Sequence, residues 1–143
     1  MSHFSIEISN DPAELDRAMN AFTDFVKEKG IPREGWSHLQ MALDEIVSNI
    51  IKYGYDDEDV HLIRISCRLK DDFLEMEIFD DSREFNVLER KDPDTAASLQ
   101  ARPIGGLGIF LVKKLLDAHE YTRDGNINHL VLRKTFSGRS GSK

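Results

Sequence analysis

Glu45-Ile46-Val47-Ser48-Asn49-Ile50-Ile51-Lys52-Tyr53 carries two superimposed patterns. At about 100° per residue, Leu39, Leu43, Ile46, Ile50 and Tyr53 form one apolar stripe, which predicts a helix from about Glu34 to Tyr53, stopped by Gly54. On a flank of that stripe, Glu45, Asn49 and Lys52 lie within roughly 60° of one another. The i, i+4 spacing sets Glu45 beside Asn49. A carboxylate next to a carboxamide suits Mg²⁺, which takes oxygen ligands and keeps several waters. The carboxylate could instead orient or deprotonate a nucleophile. Solvated helix surfaces carry such pairs too, so the surrounding sequence has to decide between these uses.

Upstream, Phe4, Ile6 and Ile8 alternate with polar residues, which predicts a strand. Asn10 and Asp11-Pro12 signal a helix start. That helix runs through Leu15, Met19, Phe22 and Val26 and stops at Gly30, with Pro32 just beyond. Downstream, Ile63, Ile65, Cys67 and Leu69 alternate with charged or polar residues, as do Leu74, Met76 and Ile78. Asp71-Asp72 between the two runs predicts a β-hairpin with one apolar and one mostly charged face. Residues 83–104 hold no sustained period and are expected to form a mobile lid. A third helix is predicted from about Gly108 to Ala118, then strands near His119–Arg123 and His129–Phe136 joined at Asp124-Gly125. The expected fold is α+β: a two-layer sandwich, three helices on one face of a mostly antiparallel mixed sheet. Residues 1–136 are expected to be one domain and 137–143 a disordered tail.

Two further segments bear on chemistry. Phe79-Asp80-Asp81-Ser82 ends a strand, and a carboxylate at Asp80 can accept a hydrogen bond from an exocyclic amine such as that of adenine. Gly105-Gly106-Leu107-Gly108 opens a helix pattern, where bare backbone N–H groups and the helix dipole favour phosphate. A Rossmann fingerprint would need glycine at 111, which is Leu, and no Walker A Gly-Lys-Ser/Thr is present. The five histidines are scattered and Cys67 is the one cysteine, so neither zinc spacing nor an internal disulfide is available. No Ser sits in a Gly-x-Ser-x-Gly setting. Trp36 is expected in the core rather than on a base-stacking platform. A net charge of −7 argues against nonspecific nucleic-acid binding. No apolar run reaches the length of a membrane span, and the first residues lack a signal-peptide pattern, so a cytoplasmic protein is expected.

Taken in order, Glu45-x-x-x-Asn49-x-x-Lys52-Tyr53, Asp80-x-Ser82 and Gly105-Gly106-x-Gly108 resemble the N, G1 and G2 boxes of the histidine-kinase-like ATPase superfamily, the Bergerat fold. The short form looks most like the anti-sigma factor serine kinases. The resemblance implies that ATP and Mg²⁺ are the ligands. It casts Glu45 as general base, Asn49 as the Mg²⁺ holder and Asp80 as the adenine reader. Gly105, Gly106 and Gly108 would lie at the phosphates, with Lys52 near them. It implies an anti-anti-sigma (STAS-type) partner, a sigma factor or similar regulator, and a possible homodimer. Two other readings stay open: an ATP-binding module that sequesters a partner without catalysis, and the ATPase part of a split histidine kinase. Two positions depart from the pattern. Tyr53 stands where this subfamily often has His, and Ser82 stands where the G1 box has Gly. Serine would be strained if that turn needs positive φ, so Ser82→Gly is expected to tighten nucleotide binding or leave it unchanged.

Overall fold

The computed structural model describes residues 2–84 and 114–136. The first strand, β1 (His3–Ser9), leads into helix α1 (Glu14–Glu28). The Asp11 side chain accepts the Ala13 N–H at 2.9 Å and shapes the turn that feeds α1. At the far end Gly30 takes φ 67°, and the Ile31 N–H reaches back to the Val26 carbonyl at 3.1 Å. This is the left-handed helix stop for which glycine is suited.

The expected start of the second helix at Glu34 is corrected. Arg33–Gly35 forms a 3-10 turn, and α2 runs Ser37–Tyr53. The break falls at Trp36, whose ring is buried with its indole N–H on the Ile31 carbonyl at 3.1 Å. Among the predicted apolar positions, Leu39, Leu43 and Ile46 are buried and Ile50 is partly so. Tyr53 is not part of that stripe, since it is 46% exposed at the fraying last turn.

The hairpin forms as the alternation predicts. β2 (Leu62–Lys70) and β3 (Phe73–Asp80) pair antiparallel, with Lys70 opposite Phe73 and Asp71 at φ 49° in the turn. Two closing strands follow, β4 (Ala118–Asp124) and β5 (Ile127–Thr135), around Gly125 at φ 62°. Strand order is β1-β2-β3-β5-β4, and every pairing among the described residues is antiparallel. Two α-helices are seen among the described residues. Of the third predicted helix, only Lys114 and Leu115 are described as helical. Ala118 belongs to β4, so that helix ends earlier than its apolar period suggested.

One core fills the space between helices and sheet. Ile8, Ile63, Ile65, Cys67, Leu74, Met76, Ile78 and Leu132 face Phe22, Val26, Leu39, Leu43 and Val47, all at most 1% exposed. Burial pushes the Cys67 thiol pKa up, which makes it an inert packing group. The outer face is charged, as expected. There Glu75 is buried between Arg133 at 2.6 Å and Arg68. Burial alone would raise its pKa, but the two guanidiniums hold the carboxyl below its usual range.

This architecture puts two places in contact. The C-terminal end of α2 meets the turn after β3, where the Arg83 N–H donates to the Gly54 carbonyl at 2.9 Å. A Cβ on Gly54 would come within 2.6 Å of both the Ser82 Cβ and the Ile50 carbonyl oxygen. Gly54 therefore matters for close approach more than for its dihedrals, which are α-helical. The predicted lid from residue 85 onward, Gly105, Gly106, Gly108 and the tail at 137–143 lie outside the described residues.

Candidate functional site

The α2 half of the site is sparse. The Asn49 Nδ2 donates to Glu45 Oε2 at 3.0 Å, so the i, i+4 spacing delivers the contact it promises. Asn49 is 8% exposed, and Glu45 is intermediate in burial. With Nδ2 engaged on Glu45, the Asn49 amide oxygen is the atom left for an incoming group. Lys52 is exposed in the last turn of α2 and is not drawn into this pair.

The β3 half is dense. Asp80 points to the helix side of the sheet, two positions after Ile78, and is 6% exposed. Its Oδ1 accepts from the Ser82 N–H at 3.0 Å, from the Ser82 hydroxyl, and from Asn128 Nδ2 at 3.0 Å. Asn128 stands directly opposite Asp80 in the β3–β5 register and is 5% exposed. Its Nδ2 also lies within reach of the Ser82 carbonyl at 3.1 Å and the Arg83 carbonyl at 3.2 Å. Its Oδ1 accepts from the Tyr121 hydroxyl and from Arg123 Nη1, the latter at 2.8 Å. Arg123 Nη1 reaches the Ser82 carbonyl as well, at 3.2 Å.

Ser82 thus plays a part other than the expected one. Asp71 is the only non-glycine residue with positive φ among the described residues, so Ser82 carries no such strain. It is 4% exposed and its hydroxyl is spent on Asp80. The expectation that Ser82→Gly would tighten nucleotide binding or leave it unchanged rested on backbone strain, and that strain is not there.

Beside Asp80, the loop from α2 to β2 is clamped by His61. His61 Nε2 lies 2.7 Å from Asp57 Oδ1, and Nδ1 lies 3.2 Å from Asp81. The Tyr55 ring stacks on the imidazole at 4.0 Å between centroids. Hydrogen bonding to Asp57 and then to Asp81 raises the His61 pKa. The Tyr55 hydroxyl is buried and makes no hydrogen bond among the described residues. Burial, then the charges of Asp80 and Asp81, push its pKa up.

Spacing within the chain singled out Glu45, Asn49 and Asp80 as candidates, but not Asn128, Arg123, Tyr121 and His61, which the fold brings to the surroundings of Asp80. A signal for Asn128 did exist. It has the same strand parity as the buried Leu130 and Leu132, so a polar residue stands at an inward position. An open groove of about 450 Å³ lined in part by Arg64, Phe79 and Ile127 reaches His61, Asp80 and Asp81 at its edge. Arg64 and Phe79 alternate with core residues, so these two side chains lie on the face of the sheet away from α2.

The family profile of the histidine kinase-like ATPase domain matches residues 8–134. The chain belongs to that family. It is similar to the serine-protein kinase RsbW of Listeria monocytogenes serotype 4a, 23% identical over 117 residues, covering 79% of this chain and 74% of that protein. It is also similar to the serine-protein kinase RsbW of Bacillus cereus, 32% identical over 97 residues, 65% of this chain and 60% of that one. Among solved structures, a chain holding the RsbU and RsbW domains of a Mycobacterium tuberculosis protein superposes with a TM-score of 0.66 at 12% identity. The match covers 94% of this chain and 32% of that longer chain, and it bears on fold alone. No helix among the described residues is long and apolar enough to cross a membrane.

Proposed function

We propose that this chain is an Mg-ATP-dependent serine/threonine protein kinase that regulates a sigma factor by phosphorylating a small anti-anti-sigma (STAS-type) protein in the cytoplasm. The observation that carries the reading is the Asn49–Glu45 hydrogen bond on α2 together with the buried strand-end Asp80, within a histidine kinase-like ATPase domain. The similarity to proteins named serine-protein kinase RsbW supports the choice of a hydroxyl as acceptor.

The residues fit the ligands proposed for them. The Asn49 amide oxygen, left over once Nδ2 is committed to Glu45, is the hard donor that Mg²⁺ prefers. Bound there, Mg²⁺ would neutralise charge on the triphosphate. Phosphoryl transfer asks the protein mainly for positioning and electrostatics. Glu45 is anchored through Oε2 and has Oε1 to orient a substrate hydroxyl or take its proton. Asp80 accepts the exocyclic amine of adenine, and Gly105, Gly106 and Gly108 offer backbone N–H groups to phosphate.

Incubation with γ-labelled ATP, Mg²⁺ and candidate partner proteins from the same genome tests the proposal. Label on a partner serine or threonine is the expected result. A protein that binds ATP yet labels no partner would instead be a sequestering module.

A further inference from the structure

Asp80 is a buried strand-end acid whose hydrogen bonds are gathered on one of its two oxygens. Three donors converge on its Oδ1: the Ser82 N–H at 3.0 Å, the Ser82 hydroxyl and Asn128 Nδ2 at 3.0 Å. Asn128 cannot rotate its amide away, because the Tyr121 hydroxyl and Arg123 Nη1 hold its other end. Exchanging its N and O would set the amide oxygen against four oxygens, those of Asp80, the Ser82 hydroxyl and the Ser82 and Arg83 carbonyls. The orientation is therefore dictated by the acceptors around it. Oδ2 of Asp80 accepts no hydrogen bond among the described residues. Gly54 leaves room for the Ser82 side chain, since a Cβ there would come within 2.6 Å of the Ser82 Cβ.

We infer that Ser82 and Asn128 are positioning residues that saturate Oδ1 of Asp80 and present Oδ2 as one aimed acceptor, so that the site selects purines with an exocyclic amine over those with a carbonyl. The inference rests on the nucleotide reading above and adds residues to it. The polar atoms of both side chains are engaged within the protein. Both act by denying the carboxylate its rotational freedom, which makes the hydrogen bond to an amine pre-organised. An oxo purine offers Oδ2 a lone pair in place of a proton and leaves a buried acceptor unpaired.

Calorimetry on the full chain with ATP and with inosine triphosphate tests this, because the two differ at that exocyclic position. Wild type is expected to prefer ATP by roughly ten-fold or more, the worth of a hydrogen bond to a charged acceptor. Ser82→Ala and Asn128→Ala are each expected to shrink that preference by roughly 3- to 10-fold, through weaker ATP binding at nearly constant inosine triphosphate binding. A purely structural role would weaken both nucleotides together and leave the ratio unmoved. An unmoved ratio in a variant whose wild type discriminates overturns the positioning role and leaves the nucleotide site standing. A wild type that binds neither nucleotide, or both alike, overturns the adenine-reading role of Asp80 and this inference with it. Should Asn128→Ala fail to fold, Ser82→Ala decides, since it removes one hydroxyl and keeps the backbone bond to Asp80.

Discussion

The two halves of the site are built to opposite standards. On α2, Glu45 and Asn49 share one hydrogen bond, and Glu45 keeps access to solvent. On β3, Asp80 is 6% exposed, with three donors on one oxygen and a second layer behind Asn128. A group that handles a proton has to exchange partners during a reaction, whereas a group that reads a ligand gains from being fixed beforehand. Looseness at one end and over-determination at the other are what the proposed roles of transfer and recognition would require.

The largest effect should come from breaking the loose half. Glu45→Gln keeps the side chain's size and removes its charge. Phosphoryl transfer to the cognate partner is expected to fall by roughly 10²–10⁴, the usual contribution of a positioned general base. Nucleotide affinity should largely survive, because the proposed adenine and phosphate contacts lie at Asp80 and the glycines. Asn49→Ala should damage binding and transfer together, since it removes the proposed Mg²⁺ ligand. Wild-type transfer rates in the Glu45→Gln protein would remove Glu45 as the base.

A second experiment tests whether the two halves are mechanically joined. Gly54→Ala would press a methyl group against the Ser82 Cβ and the Ile50 carbonyl, both at 2.6 Å. Overpacking of that kind should cost about 1–3 kcal/mol in chemical denaturation. Ser82→Gly in the same chain should recover part of that cost, because one of the two clashes disappears. A coupling of roughly 0.5 kcal/mol or more in the double-mutant cycle is expected. Strict additivity would mean that α2 and the β3 turn relax independently.

How far these features could be read in advance follows from their range along the chain. The hairpin of β2 and β3 was legible because alternation and the Asp71-Asp72 turn are local. Glu45 and Asn49 were legible because the helix period places them side by side. Asn128 was not, because its meaning depends on pairing with Asp80, 48 residues away. Only its inward parity in β5 hinted at a buried polar role. Ser82 was misjudged because a missing glycine was weighed as a loss of backbone freedom. In the fold it is a hydroxyl donor, and the needed space comes from Gly54. Apolar periodicity ran the third helix to Ala118, but pairing with Arg133 claims that residue for β4. His61 was set aside as one of several scattered histidines. Its partners Asp57 and Asp81 meet only when the α2–β2 loop folds onto the end of β3.

That loop offers the smallest and most condition-dependent contrast. His61 is raised above its ordinary pKa by Asp57 first and Asp81 second. A raised histidine stabilises the fold fully below its unfolded pKa, about 6.5. The contribution is lost as pH climbs through the folded value. The melting temperature of His61→Gln should therefore fall furthest below wild type near about pH 6, and the gap should narrow toward about pH 9. The effect should be modest and should shrink with added salt, since the Asp57 and Asp81 side chains are 51% and 33% exposed. The stack of Tyr55 on the imidazole is lost in the variant at every pH, so a residual gap that pH does not move should remain. A gap that widens with pH would mean that neutral imidazole packing, not the ion pairs, fastens this loop beside Asp80.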